Sequence, residues 1–180
     1  MGTFKYMRGL AFSPDGKKLA AVCGDAPTPL DGRLLVWDAA AGQRPLLLKE
    51  VNEQAMIFSV VYSSDGRRLF TGGYDNSIMA WDSQTGEHLF TLKGHSTGVL
   101  SLAASPDGKR LISASGDNHN SGTYAEVIVW DLSTRQQVLT LKGHEDAIHG
   151  VVISPDGRLL ATASRDGRVL VWDGHEPAAE

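Results

Sequence analysis

Apolar residues in this chain come in short runs separated by glycine, aspartate and serine. Ile57–Tyr62, Leu69–Gly72, Ile78–Trp81 and His88–Leu92 follow one another as one group. Runs of this length, bounded by turn residues, predict β-strands rather than helices. The succession returns at Val99–Ala104, Leu111–Ala114 and Val127–Trp130, and again at Ile148–Ile153, Leu159–Ala163 and Val169–Trp172. Glycine supplies many of the breaks: 20 of the 180 residues are Gly and seven are Pro, against a usual glycine share of ~7%. The predicted fold is all-β.

Two motifs mark the period. An SPDG-like turn stands at 13–16, 63–66 (as SSDG), 105–108 and 154–157. Proline's fixed φ suits the second position of a type I turn, and glycine closes it cheaply. A Trp-Asp pair follows each turn, at Trp37, Trp81, Trp130 and Trp172, and these are the only tryptophans in the chain, spaced 44, 49 and 42 residues apart. Four short antiparallel strands per ~40–50 residues make one blade of a β-propeller. The expectation is a single domain over 1–180, with blades at approximately 1–48, 49–92, 93–141 and 142–180. Spacing from turn Asp to Trp alternates 22, 16, 23, 16, because the first and third units carry inserts near 26–30 and 118–123. The chain reads as a duplicated two-blade unit, long then short.

These residues resemble the WD-repeat (WD40-type) β-propeller family, over nearly the whole chain. LKGH at 92–95 and 141–144 matches the dipeptide Gly-His that precedes a blade's first strand in that family. The resemblance implies a hydrogen-bonded His, Ser/Thr, Asp and Trp within each blade. In the fourth blade these are His144, Thr162, Asp166 and Trp172, and in the third His95, Ser113, Asp117 and Trp130. The second keeps Thr71, Asp75 and Trp81 but has Glu53 at the His position; the first has Thr3 there and Ala21 in place of the hydroxyl.

Four four-stranded antiparallel blades would form a propeller segment, half of a larger ring. Only GHEPAAE follows Asp173, too short and polar for an outer strand. Neither end supplies a strand to close a ring, and no polar capping unit is written in. Apolar flanks are therefore expected at both ends of the array.

Composition narrows the function. No apolar run approaches the ~18 residues of a membrane span, and the first 20 residues lack a signal-peptide pattern, so a soluble, cytoplasmic protein is expected. A single cysteine, Cys23, excludes an internal disulfide framework and a Cys-rich zinc site. Seventeen Lys and Arg against 21 Asp and Glu, a net charge of −4 with no basic block, leave no footprint for nucleic acid.

Candidate chemistry is sparse. His95 and His144 read as buried partners within their blades rather than bases or metal ligands. His119, beside Asp117 and Asn118, has too few oxygen ligands around it for a metal. Tyr124 and Glu126 bound the second insert, and Cys23 reads as a core thiol. No Ser-His-Asp combination comes with a nucleophile elbow. No catalytic residue, cofactor or metal is assigned.

Binding residues are the better candidates. The resemblance places recognition at the channel mouth, on residues flanking the first strand's opening apolar position and on the residue before the turn Asp. Here these are Tyr6 and Arg8; Met56, Phe58 and Tyr74; Gly98 and Leu100; Ala147, His149 and Arg165. Tyr, Phe, Met and Arg are types that dominate protein interfaces. The expected function is a non-enzymatic protein-interaction scaffold whose partner is another protein. The alternative is a purely structural module of a larger protein, and further off stands an enzyme using the propeller channel. The flanks call for cover, from the remaining blades of a longer parent chain or from a homodimer completing an eight-bladed ring.

Overall fold

A computed structural model describes residues 6–24, 32–41, 46–52, 56–117 and 125–174, with backbone alone for 47–52. The expected positions Thr3, Glu53, His119 and Tyr124, and both inserts, lie outside the described residues. Four antiparallel sheets follow in chain order. The first contains β1 (Met7–Phe12), β2 (Lys18–Cys23), β3 (Gly32–Asp38) and β4 (Leu47–Asn52). The second contains β5 (Ile57–Tyr62), β6 (Arg68–Gly73), β7 (Ser77–Asp82) and β8 (His88–Lys93). The third contains β9 (Val99–Ala104), β10 (Arg110–Ser115), β11 (Val127–Asp131) and β12 (Gln136–Leu141). Among the described residues the fourth has three strands, β13 (Ile148–Ile153), β14 (Leu159–Ser164) and β15 (Val169–Asp173).

One piece of turn chemistry is used four times. Ser13, Ser63, Ser105 and Ser154 each donate a hydroxyl hydrogen bond to the Asp two residues on, at 2.5–2.6 Å. That Asp accepts the N–H two residues further, and the Ser hydroxyl accepts the N–H that opens the second strand. Gly16, Gly66, Gly108 and Gly157 close the turns at φ between 69° and 75°, a region where a Cβ is penalised. The Ser hydroxyl first, and the backbone N–H next, hold Asp15, Asp65, Asp107 and Asp156 below the ordinary carboxylate range.

Each sheet has two apolar faces, and the sheets pack face to face in chain order. One face carries the tryptophan, as in Tyr62–Leu69–Trp81 across β5, β6 and β7. It packs on the opposite face of the preceding sheet: Ala20, Val22, Leu34 and Val36 meet Val60, Tyr62, Leu69 and Trp81. Phe70, Ile78 and Ala80 likewise meet Leu102, Leu111, Ile128 and Trp130, and Ile112, Ala114 and Val127 meet Ile148 and Val151.

The tryptophans are tied by side-chain hydrogen bonds. In the fourth sheet Trp172 Nε1 donates to Thr162 Oγ1 at 3.2 Å, His144 Nε2 lies 2.8 Å from the same oxygen, and His144 Nδ1 is 2.9 Å from Asp166. In the third, Trp130 Nε1 donates to Ser113 Oγ at 2.7 Å and His95 Nε2 lies 2.6 Å from it. Asp117 does not join this set as expected: among the described residues His95 Nδ1 has no hydrogen-bond partner. Asp117 directly precedes the 118–123 insert, and its carbonyl meets Arg165 instead, at 3.5 Å. In the second sheet Trp81 Nε1 donates to Thr71 Oγ1 at 2.9 Å. Asp75 there caps its own turn, accepting from the Ser77 N–H and hydroxyl.

Candidate functional site

The first strand of every sheet carries a β-bulge at the same place. Pairing runs Met7↔Cys23 then Gly9↔Val22, Ile57↔Gly73 then Ser59↔Gly72, Val99↔Ser115 then Ser101↔Ala114, and Ile148↔Ser164 then Gly150↔Ala163. The residues left out of register are Arg8, Phe58, Leu100 and His149. A bulge re-aims the side chain of its extra residue while the rest of the strand keeps its faces. All four are rim residues expected from the sequence.

Three of these bulge residues converge. Arg8, Phe58 and Leu100, from three successive sheets, line one cavity of about 550 Å³ together with Met56 and Tyr74. The Arg8 guanidinium lies over the Phe58 ring, 5.1 Å from its centroid, and Arg8 Nη2 is 3.6 Å from Met56 Sδ. Tyr74 is exposed, and its N–H is anchored on the Met56 carbonyl at 2.9 Å. Gly98 and Gly116 line the cavity as well.

Tyr6 and His149 stand outside this cavity, on the first strands' rim at the two ends of the array, and both are exposed. Arg165 reaches toward it: its Nη2 donates to Asp146 at 2.8 Å and also faces the Asp117 carbonyl at 3.5 Å. That guanidinium keeps the Asp146 carboxyl below its ordinary value. Ala147 is buried under Gly116, where a Cβ would come within 2.4 Å of the Ala147 Cα.

Sequence reasoning missed the polar wall. Asn76, Ser96 and Thr97 line the cavity. Asn76, at φ 64°, donates to the Ser96 carbonyl at 3.1 Å, and the Ser96 hydroxyl donates to Glu126 at 2.7 Å. Glu126 thus ties neighbouring loops together rather than only bounding a solvated one. The Asn after the turn Asp was the available signal, since Asn tolerates the left-handed region. Chemically the site offers an apolar floor, a hydroxyl and amide wall, the Arg8 guanidinium on one side and Asp117 at the lining beside Gly116. Burial pushes His95, close beneath it in sequence, down to about 4, so the ring is neutral near pH 7. Among the described residues no three His, Cys, Asp or Glu side chains are grouped to hold a metal.

Repeated four-stranded antiparallel blades, stacked face to face with loops gathered on one rim, define a propeller-like repeat protein. The chain belongs to the WD-repeat family: the family described as WD domain, G-beta repeat matches residues 2–38, 47–82, 86–119 and 135–173. Proteins of this family are typically non-enzymatic scaffolds for protein interaction. The chain is 32% identical to Protein HIRA of Caenorhabditis elegans over 130 residues, covering 58% of this chain and 14% of that protein. It is 34% identical to the Lissencephaly-1 homolog of Caenorhabditis briggsae over 110 residues, 61% of this chain and 26% of the relative. Protein groucho of Drosophila melanogaster is 32% identical over 111 residues, 61% of this chain and 14% of its own length. The chain thus spans about a quarter or less of the length of these curated relatives.

Proposed function

We propose that this protein is a non-enzymatic interaction scaffold that seats a segment of another protein in the rim cavity. What carries the reading is the convergence of three bulge residues, Arg8, Phe58 and Leu100, on one concave surface with Met56 and Tyr74. Rigid strands hold these side chains before any partner arrives, so little ordering entropy opposes binding. The chemistry suits a segment with a large apolar side chain for the Met56–Phe58–Leu100 floor and an acidic one for Arg8. The fitting experiment is affinity selection from a peptide library on the immobilised chain, repeated with Phe58→Ala and with Arg8→Glu. Enriched apolar–acidic peptides that lose at least about tenfold in affinity to each variant support the site. Selection indifferent to both variants rejects it.

A structural module is the second reading, favoured by the exposed apolar flanks. It expects rim substitutions to be silent and flank substitutions to matter.

A further inference from the structure

Every internal junction joins a tryptophan-bearing face to the opposite face of the sheet before it. The two faces left over are one of each kind. On the first sheet, Leu10–Ala21–Leu35 and Phe12–Leu19–Trp37 make a tryptophan face on which Ala21 and Leu35 are buried while the first-strand residues Leu10 and Phe12 stand open. Leu10 is 66% and Phe12 63% exposed, whereas their counterparts Val60 and Tyr62 in the second sheet are 6% and 4% exposed. On the fourth sheet the opposite face is bare: Val152, Val169 and Val171 are 62%, 67% and 64% exposed, whereas Leu34, Ile78 and Val127, the counterparts of Val169, are at most 1% exposed.

The exposed side chains of these two outer faces match each other in size. Counted from the turn serine, Ala20, Phe70, Ile112 and Ala161 occupy one register position, and Phe12, Tyr62, Ala104 and Ile153 another. At the first junction Ala20 shares a core with Tyr62, small against aromatic; at the second Phe70 packs with Ala104, aromatic against small. Ala161 facing Phe12 would repeat the first arrangement. The glycines agree. A Cβ on Gly9 would sit 3.1 Å from the Phe58 carbonyl and 3.2 Å from the Ser59 Cα, a tight fit in which a neighbour must give by a few tenths of an ångström. Gly150 holds the same position in the fourth sheet, yet a Cβ there meets only the Ala163 Cβ at 3.6 Å. The second and third sheets have serines instead, bridging to the Leu102 and Val151 N–H groups at 3.1 and 3.2 Å. Gly150 thus repeats the residue of Gly9 on the fourth sheet, where no described residue of the same copy packs over it.

We propose that a second copy of this chain covers both flanks. The fourth sheet of each copy packs under the first sheet of the other, and two copies close an eight-bladed, two-fold symmetric ring. Eight blades fall within the usual range for propellers, and two-fold closure leaves no open face to propagate.

Light scattering on the purified chain tests this directly, the expected mass being twice 19.3 kDa. A stable 19.3 kDa monomer, as expected if sheets of different sequence normally cover the flanks, overturns the proposal, and so does a ladder of open assemblies. Phe12→Ala and Ala161→Phe should each weaken the dimer at least about tenfold, and the double variant should recover most of that loss. The two positions lie at opposite ends of one copy, so rescue requires that they meet between copies. Rim variants such as Phe58→Ala should leave the mass unchanged, which separates this test from that of the peptide site.

Discussion

Arg8 and Phe58, each the extra residue of a β-bulge, meet across the junction of the first two sheets with the guanidinium 5.1 Å from the ring centroid. The contact lies at the cavity wall, where Arg8 is exposed, rather than in either junction core. An exposed cation–π pair contributes about 0.5–1 kcal/mol. Arg8→Ala and Tyr74→Ala should therefore each cost no more than about 1 kcal/mol by chemical denaturation. A loss above about 3 kcal/mol at both would place them in the core and remove them from the rim.

Trp130 is buried, and its indole N–H is held by Ser113 at 2.7 Å. Trp130→Ala removes a large ring from a junction core and leaves the Ser113–His95 pair without its donor, which should cost about 3–5 kcal/mol. Trp37 has no such hydroxyl opposite it, because Ala21 stands there, and its ring is half-buried. Trp37→Ala should cost less. Urea titrations of the two variants decide, and an equal loss would contradict the lesser burial and missing hydroxyl tie of Trp37.

His95 makes stability depend on pH. Its folded value, pushed down by burial to about 4, lies below the ordinary 6.5. Between these limits the unfolded chain binds a proton that the folded chain refuses, so stability falls as pH is lowered from 6.5 toward 4. The full effect is about 3 kcal/mol. His95→Gln should be less stable at neutral pH but should lose less between pH 7 and 4.5. Parallel slopes for variant and parent would mean that the ring is hydrated or charged in the folded state.

Gly116 and Gly16 separate two reasons for glycine. A Cβ at Gly116 would come within 2.4 Å of the Ala147 Cα, whereas Gly16 faces open space but sits at φ 70°. Gly16→Ala should cost about 1 kcal/mol, the backbone penalty alone. Gly116→Ala should cost at least about 2 kcal/mol, since two backbones must separate. Thermal melts that rank them the other way would dismiss the close approach of the third and fourth sheets.

Local chemistry recurs at fixed spacing, and that is why so much of the fold is legible in the chain. The SPDG turns, the Trp-Asp pairs and the alternating faces depend on neighbours a few residues apart, so their pattern places β5, β9 and β13 at Ile57–Tyr62, Val99–Ala104 and Ile148–Ile153. The Trp–hydroxyl ties of the last three sheets, joined by a His in the third and fourth, are likewise short-range. Rim positions Arg8, Phe58 and Leu100 could be named from the sequence, but their meeting in one cavity could not. That depends on the bulges, which insert a residue without a mark in the hydrophobic alternation, and on the angle at which three sheets stack. Asp117 shows the same limit: its spacing matches that of Asp166, yet only Asp166 bonds its histidine. Sequence by itself determined the repeat, its strands and its turns, because hydrogen bonding and side-chain period are local. Which side chains share a cavity and which glycine faces a backbone were decided by tertiary structure, because those contacts join residues some 50 positions apart.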